Sequence, residues 1–253
     1  MWFRQEVLRW GDELRQTCTG PEVIRAIEDR IASEADPMKV HVLRYALAHE
    51  HERQGNKEVA LAIYREEDPL YDLNRWYEDL LKTHEHEENI AAIEERISAN
   101  PEGPELWSLY WMLASEHRFC DNFASSEALL LRMFHDDPND PLPMITLADQ
   151  KLYYEERPQA AMPFIERALE AAYRSGDFQR QALGTKARIA LALERYDVVE
   201  GVLKDIMNLT ISPDCIDIGR EDDFLRRLPP GSIDPEVARQ YDEYWRAAQP
   251  RTD

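Results

Sequence analysis

The feature that most constrains the fold is a spacing of about 34 residues that recurs along most of the chain. Prolines follow helix-like segments at Pro37, Pro69, Pro101 and Pro138, which are 32, 32 and 37 residues apart. Each lies in a polar turn and can end a helix there, because proline donates no backbone hydrogen bond. Two helices and two turns fill a period of this length. The spacing therefore predicts a series of helix hairpins.

A second pattern lies inside the units. Leu113 and Ala114 recur 34 residues later as Leu147 and Ala148. Small residues at such positions let the two helices of a hairpin approach closely, and large ones fill the space between hairpins. A unit beginning at His41 carries the fullest pattern, which consists of Leu47, Ala48, Gly55, Ala60 and Tyr64. In this order the unit resembles the tetratricopeptide repeat at most of its consensus positions.

The resemblance covers residues 1–209 and implies an all-α fold. The expected architecture is a right-handed superhelical solenoid of about six antiparallel helix hairpins with a C-terminal capping helix. The first helices are predicted at about 2–17, 38–54, 70–84, 104–118, 141–155 and 179–194. The second helices are predicted at about 21–35, 57–67, 87–99, 121–136, 158–174 and 196–208. Pro163 should kink its helix or mark a later start.

The composition changes after Asn208, so residues 210–253 are predicted to form a separate region. Prolines and glycines between 211 and 231 predict a mostly irregular segment with one short turn at 222–228. A final helix then begins, since Asp234 is a good N-cap and Pro235 suits the first helical position. Its apolar stripe should cover the exposed end of the last hairpin.

The overall charge restricts the class of partner. The chain carries 50 acidic and 30 basic residues and a net charge of −20. Such a field repels phosphate backbones and anionic lipid, so neither nucleic acid nor a membrane is the expected partner. It favours a basic protein or peptide, or it serves solubility. Three distant cysteines and a polar N-terminus without a secretory signal predict a cytoplasmic protein.

Catalytic and metal-binding motifs are weak throughout. His49 and His51, like His84 and His86, are two residues apart, which places them on different sides of a helix. No glycine-rich phosphate loop or nucleophile elbow is present. The sequence therefore predicts no enzyme, no cofactor and no metal ion. A metal or small-molecule site shared between hairpins, such as His49 with His84, remains the alternative.

The resemblance also implies a binding groove lined by first helices. Ligand-facing side chains in tetratricopeptide proteins come from consensus positions two, five, nine, twelve and thirteen. Carried over, and with Arg188 added from a unit of less certain register, the expected groove residues are Tyr45, His49, Glu52, Arg53, Trp111, Ser115, Arg118, Phe119, Ile145, Asp149, Leu152, Tyr153 and Arg188. The lysine and asparagine with which chaperone-binding members hold a peptide carboxylate are absent from the matching positions.

The expected function is that of an interaction scaffold or adaptor. A solenoid leaves an extended curved surface with fixed side chains, which suits a peptide or a partner helix. A structural subunit that forms homo-oligomers through its end or convex face is the second hypothesis. A metal-binding or enzymatic helical-repeat protein is the third.

Overall fold

The chain folds into helices throughout the part that the structure describes. This computed structural model describes residues 2–209 and 228–248, and the chain divides into two compact units, Met1–Thr83 and His84–Asp253. The first unit contains α1 (Trp2–Thr17), α2 (Gly20–Ser33), α3 (Pro37–Arg53), α4 (Lys57–Glu67) and α5 (Tyr71–Thr83). The second contains α6 (His86–Ala99), α7 (Leu106–Phe119), α8 (Phe123–Asp136), α9 (Leu142–Asp149), α10 (Pro158–Ser175), α11 (Gln179–Ala192), α12 (Tyr196–Asn208) and α13 (Pro235–Ala248). The predicted all-α class is confirmed.

Packing within each unit follows the order of the chain. In the first unit α3 packs against both α2 and α4, and α1 contacts α3 as well as α2. In the second unit each helix from α6 to α12 packs against the next, and α9 also contacts α11. Contacts between neighbours and next neighbours are typical of stacked hairpins. The helices predicted at 70–84 and 87–99 are both present, but α5 belongs to the first unit and α6 to the second, so their pairing as a hairpin stays a prediction.

The hairpins share one register, which buried small residues mark. Ala48 and Ala60 are twelve residues apart, as are Ala114 and Ser126, and all four are buried. In the last hairpin the pair is Ala187 and Val199, again twelve residues apart and buried. The turns inside these three hairpins follow the same register. The residues with positive φ, which are Gly55, Asp121 and Glu194, each lie seven residues after the buried alanine of the first helix.

The hairpin of α9 and α10 contains one residue more. Ala148 and Ala161 are thirteen residues apart, and Glu156 takes the positive φ eight residues after Ala148. The extra residue lies in a π-helical turn, Gln150–Tyr154, which continues α9. Such turns accommodate a single inserted residue inside a helix. The sequence predicted one α-helix over 141–155, and the π-helical turn corrects its last part.

Prolines begin helices here as well as ending them. Pro37 is the first residue of α3, where Asp36 caps the helix by accepting a hydrogen bond from the backbone N–H of Met38 at 3.0 Å. Pro158 likewise begins α10. Pro163 lies inside α10, so the alternative of a later helix start at this residue is wrong.

The final helix covers the last hairpin as predicted. The Asp234 carboxylate accepts from the Glu236 N–H at 2.8 Å, and the Asp234 N–H donates to Glu200 of α12 at 3.1 Å. Val237 and Tyr241 are buried in the core of the second unit. Most of the segment predicted to be irregular, 211–231, and the turn at 222–228 lie outside the described residues, and the boundary predicted at 209 stays a prediction.

Candidate functional site

The predicted groove residues divide between the two units. Tyr45, His49, Glu52 and Arg53 belong to α3 of the first unit. The remaining residues belong to α7, to α9 with its π-helical turn, and to α11 of the second unit. Each group is therefore described by itself.

In the first unit the α3 residues surround a buried tyrosine from α4. The Tyr64 ring lies 5.8 Å from the ring of Tyr45, 5.6 Å from that of His49 and 4.7 Å from that of Tyr71. Its hydroxyl donates to the Glu52 carboxylate at 3.4 Å. Burial, and then the charge of Glu52, raises the pKa of Tyr64 far above its ordinary value. Tyr45 is thus half-buried within the unit, whereas the side chains of His49, Glu52 and Arg53 remain exposed.

In the second unit α7 presents a cation between aromatic rings. The Arg118 guanidinium lies 4.9 Å from the Tyr154 ring centre and 5.9 Å from that of Phe119. Its Nη2 donates to the Ser115 hydroxyl at 3.4 Å. Phe119 is half exposed and stacks on His86 with ring centres 4.9 Å apart. Arg118 therefore joins α7 to the end of the α9 segment.

A chain of polar contacts joins α9 to α11. Arg188 donates to the Thr185 hydroxyl at 2.7 Å, and that hydroxyl lies 3.4 Å from a carboxylate oxygen of Asp149. Arg188 also forms an ion pair with Asp149 at 3.7 Å. In the register set by Ala187, Arg188 occupies the position that Asp149 holds in α9 and Ser115 holds in α7. Three successive first helices thus contribute equivalent residues to one surface.

The π-helical turn changes which residues reach that surface. Tyr153 and Tyr154 are exposed and follow the inserted residue, so they occupy the positions of Arg118 and Phe119. Leu152, expected in the groove, packs instead against the core of the second unit. Sequence analysis missed Tyr154, although the thirteen-residue spacing from Ala148 to Ala161 was its signal.

Two further predictions need correction. Ile145 is fully buried in the core, because α9 is covered there by its neighbours, and it cannot contact a partner. Trp111 is half-buried and packs against the same core, so it supports the surface more than it contributes to it. The surface that remains consists of Ser115, Arg118, Phe119, Asp149, Tyr153, Tyr154 and Arg188, and is called the first-helix surface below.

A buried ion cluster holds the π-helical turn in place. The Lys151 ammonium lies 2.6 Å from the Glu127 carboxylate of α8 and 2.8 Å from the Glu155 carboxylate. Burial opposes the charge of Lys151, but the hydrogen bonds to Glu127 and Glu155 raise its pKa overall. Burial likewise opposes ionisation of Glu155, yet the hydrogen bonds from Gln150 and Lys151 lower its pKa. Lys151 and Glu155 are therefore both charged near neutrality.

Several histidines of the described residues contact carboxylates within the protein, for example His41 with Glu67. Within the two described ranges, no group of three His, Cys, Asp or Glu side chains is arranged to hold a metal ion. His86 begins α6, where its Nδ1 lies 2.7 Å from the buried Glu116 carboxylate. Cys18 and Cys120 are free thiols. Of the described helices, none has the length and apolar content needed to cross a membrane.

Comparison with known proteins gives distant structural likenesses. No protein-family model matches the chain, and no curated protein matches it. PilW, a widely conserved type IV pilus biogenesis factor, is 16% identical with a TM-score of 0.46, covering 83% of this chain and 94% of PilW. A tetratricopeptide repeat protein from Parabacteroides merdae is 14% identical with a TM-score of 0.39, covering 97% and 100%. The tetratricopeptide-like helical-repeat fold of this chain rests on its own hairpins and their common register.

Proposed function

We propose that this protein is a non-enzymatic scaffold that binds a partner protein along its first-helix surface. The bound element is a peptide or a helix of the partner. The proposal rests on one observation above all, which is that side chains of α7, of α9 with its π-helical turn, and of α11 contact each other directly. Arg118 over Tyr154 makes the first junction, and Asp149 with Arg188 makes the second.

The composition of the surface supports a role in protein binding. Arginine and tyrosine dominate the residues that carry binding energy at protein interfaces. Phe119, Tyr153 and Tyr154 are 51%, 52% and 44% exposed, so each retains a large apolar area for a partner. Covering roughly 100 Å² of such a ring contributes about 2–3 kcal/mol. Three rings together supply enough for a specific complex after the loss of translational freedom is offset.

Rigidity supports the same role. The polar side chains of the surface are fixed by contacts between helices, which lowers the entropy lost on binding. The π-helical turn below Tyr154 is itself fixed by the Lys151 ion cluster. π-Helical turns are frequent at functional sites, and this one lies under the proposed interface.

Photo-crosslinking at two matched positions tests the proposal. A benzoylphenylalanine is placed at Tyr153 on the first-helix surface or at Tyr173 on the second helix α10. These side chains are 52% and 53% exposed, so they differ in location and not in accessibility. We expect a discrete adduct in cells from position 153 alone. Phe119→Ala should reduce that adduct, because it removes a neighbouring contact.

The proposal is contradicted if both positions give the same adducts, or if position 173 alone gives one. An adduct whose mass is twice that of this chain would replace a foreign partner by a second copy, which is the self-association hypothesis. The role of His49, Glu52 and Arg53 in binding stays a prediction, and the same comparison can be made there.

We also propose that the protein acts in the cytoplasm. Both described cysteines are free thiols, which suits a reducing compartment. Fractionation of cells that express the tagged full chain, with thiol-labelling of Cys18 and Cys120, would test this location. Labelling of both without prior reduction is expected.

A further inference from the structure

The local charge of the first-helix surface differs from that of the whole chain. The chain is acidic, with a net charge of −20. Yet the carboxylates of the α9 segment have partners within the protein. Asp149 contacts Arg188 and Thr185. Glu155 contacts Lys151 and Gln150. Glu116 of α7 is buried, with Asn89 and His86 as partners. These acids are therefore unavailable to a basic partner.

Arg118 is the cation at the centre of this surface. Within residues 2–209 and 228–248, no carboxylate lies within ion-pair distance of Arg118, and the hydroxyl of Ser115 is its hydrogen-bond acceptor. Its Nε–H is buried and has no hydrogen-bond partner in the same ranges. A guanidinium carries five N–H donors. With one bonded to Ser115 and the Nε–H buried, the other three, all on the terminal nitrogens, remain for a partner. Most of the other arginines in the part of the chain that the structure describes form ion pairs, for example Arg44 with Glu67 and Arg96 with Glu105.

The position of Arg118 favours recognition rather than random motion. The Tyr154 and Phe119 rings lie 4.9 and 5.9 Å from the guanidinium carbon, and the Ser115 hydroxyl accepts a hydrogen bond from Nη2, so these contacts restrict the motion of the guanidinium. A fixed planar guanidinium matches a carboxylate, with which it forms two charge-assisted hydrogen bonds. The aromatic rings beside it exclude water and strengthen such bonds.

We propose that Arg118 binds an Asp or Glu side chain within the partner segment, so that the first-helix surface selects an acidic and not a basic sequence. The carboxylate belongs to a side chain inside the segment, because the surface continues on both sides of Arg118. It extends to Phe119 and His86 on one side, and to Tyr153, Asp149 and Arg188 on the other. This inference rests on the proposed function and adds that the bound segment of the partner carries an acidic side chain.

Peptide arrays test the inference with defined probes. One array holds peptides of about 12 residues, acetylated and amidated, with a central Glu and randomised flanks. Two others carry Gln or Lys at the centre, and a fourth has a central Gln and a free C-terminal carboxylate. Binding of the purified full chain is measured near 0.15 M salt, where distant charges are screened beyond about 8 Å. We expect the central-Glu array to be bound about tenfold more strongly than the central-Gln array.

Variants identify the residue responsible. Arg118→Met should abolish the preference for Glu, and Arg118→Lys should keep part of it, since a lysine retains charge without the planar fork. Arg132→Met is the matched control. Arg132 belongs to the second helix α8, and its guanidinium also lies beside an aromatic ring, 4.8 Å from the ring centre of Tyr110. It should leave the preference unchanged. Circular dichroism confirms that each variant keeps its helices.

The outcomes separate this inference from the proposed function. If the arrays bind and Tyr153→Ala weakens them, but Glu is not preferred or the preference survives Arg118→Met, the inference fails and the proposed function stands. A preference for Lys, or for the free carboxyl end, also contradicts it. If the wild-type chain binds none of the arrays, both fail.

Discussion

At the residue scale, the second unit depends on charged groups held away from water. Lys151 is 7% exposed and Glu116 is fully buried, in a core made mainly of apolar side chains. Such groups are tolerated only when each is paired or hydrogen-bonded. Lys151 meets this condition through Glu127 and Glu155, which belong to different parts of the chain. The pairing therefore fixes where the π-helical turn lies against α8.

Lys151→Met should destabilise the second unit strongly. It leaves Glu155, which is nearly buried, without its counter-ion, and removing one partner of a buried pair costs about 3 kcal/mol or more. Urea denaturation monitored by circular dichroism measures the change in free energy of unfolding. Lys204→Met is the control, since Lys204 pairs with Glu200 at the exposed face of α12 and its loss should change stability far less.

Adding Glu155→Gln to Lys151→Met should recover part of the loss, because it removes the unpaired charge. A loss no larger than that of Lys204→Met would mean that the ion cluster does not hold the turn.

His117 should make stability depend on pH. Burial lowers its pKa below 6.5, with an opposing effect from Glu94. Between the lowered value and 6.5 the unfolded chain binds a proton that the folded chain does not, so the free energy of unfolding decreases as pH falls through this window. The slope reaches at most about 1.4 kcal/mol per pH unit.

Urea denaturation of wild-type and His117→Gln protein between pH 5 and 7.5 measures this contribution. The variant should lose part of the pH dependence, whereas His135→Gln, at an exposed position of α8, should not. Equal slopes in all three proteins would contradict the effect of burial on His117.

At the scale of elements, the hairpins follow a register that one insertion interrupts. Three hairpins place their small buried residues twelve apart, and the hairpin of α9 and α10 places them thirteen apart. Because the π-helical turn absorbs the extra residue, α10 still packs with Ala161, Ile165 and Ala168 inward, and all three are fully buried. The insertion therefore alters α9 locally and leaves the stacking intact.

Deleting Leu152 should convert the π-helical turn into regular α-helix and preserve the fold. The deletion restores the twelve-residue spacing, so its main effect is the loss of one half-buried leucine, about 1–2 kcal/mol. Deleting Ser115 from α7, where the spacing is already regular, should instead displace every later residue of that helix. Circular dichroism and urea denaturation compare the two deletions. Equal damage from both would show that the extra residue is not accommodated as described.

Many of the helix bounds could be predicted from the sequence. Helix bounds at 2–17, 57–67 and 196–208 are confirmed as predicted, because proline, glycine and buried alanine act locally. The thirteen-residue spacing from Ala148 to Ala161, which shifts α10 by one residue relative to the other second helices, is also present in the sequence. The π-helical turn itself could not be predicted, since it depends on contacts between Lys151 and Glu127 of another helix. For the same reason Leu152 was predicted at the surface, and Tyr154 was missed.

At the scale of the whole molecule, the net charge differs from the local charge of the first-helix surface, and the two favour partners of opposite charge. The value of −20 predicted a basic partner, yet the carboxylates Asp149 and Glu155 at the first-helix surface are bound internally and Arg118 has no paired acid among the described residues. Net charge governs solubility and long-range approach, whereas contacts within a few ångströms determine recognition. The local arrangement of charges depends on the fold, so composition could not predict it.

The division into two units also depends on packing between helices. The sequence predicted six hairpins in one region, 1–209, but α5 and α6 fall on opposite sides of the division at Thr83. Pro69 and Pro101 lie outside this pair of helices, and no proline or glycine lies between Thr83 and His86 to indicate a division there. Both helices are confirmed, whereas their pairing as a hairpin stays a prediction.

The most direct test of binding at the first-helix surface is hydrogen–deuterium exchange of the full chain, with and without the partner recovered by crosslinking at position 153. If the partner binds at the first-helix surface, protection of backbone amides from exchange is concentrated in α7, in the segment from α9 through Tyr154, and in α11. The amides of α8, α10 and α12 exchange as before. Protection confined to α8, α10 and α12, or spread evenly over all helices, would contradict it.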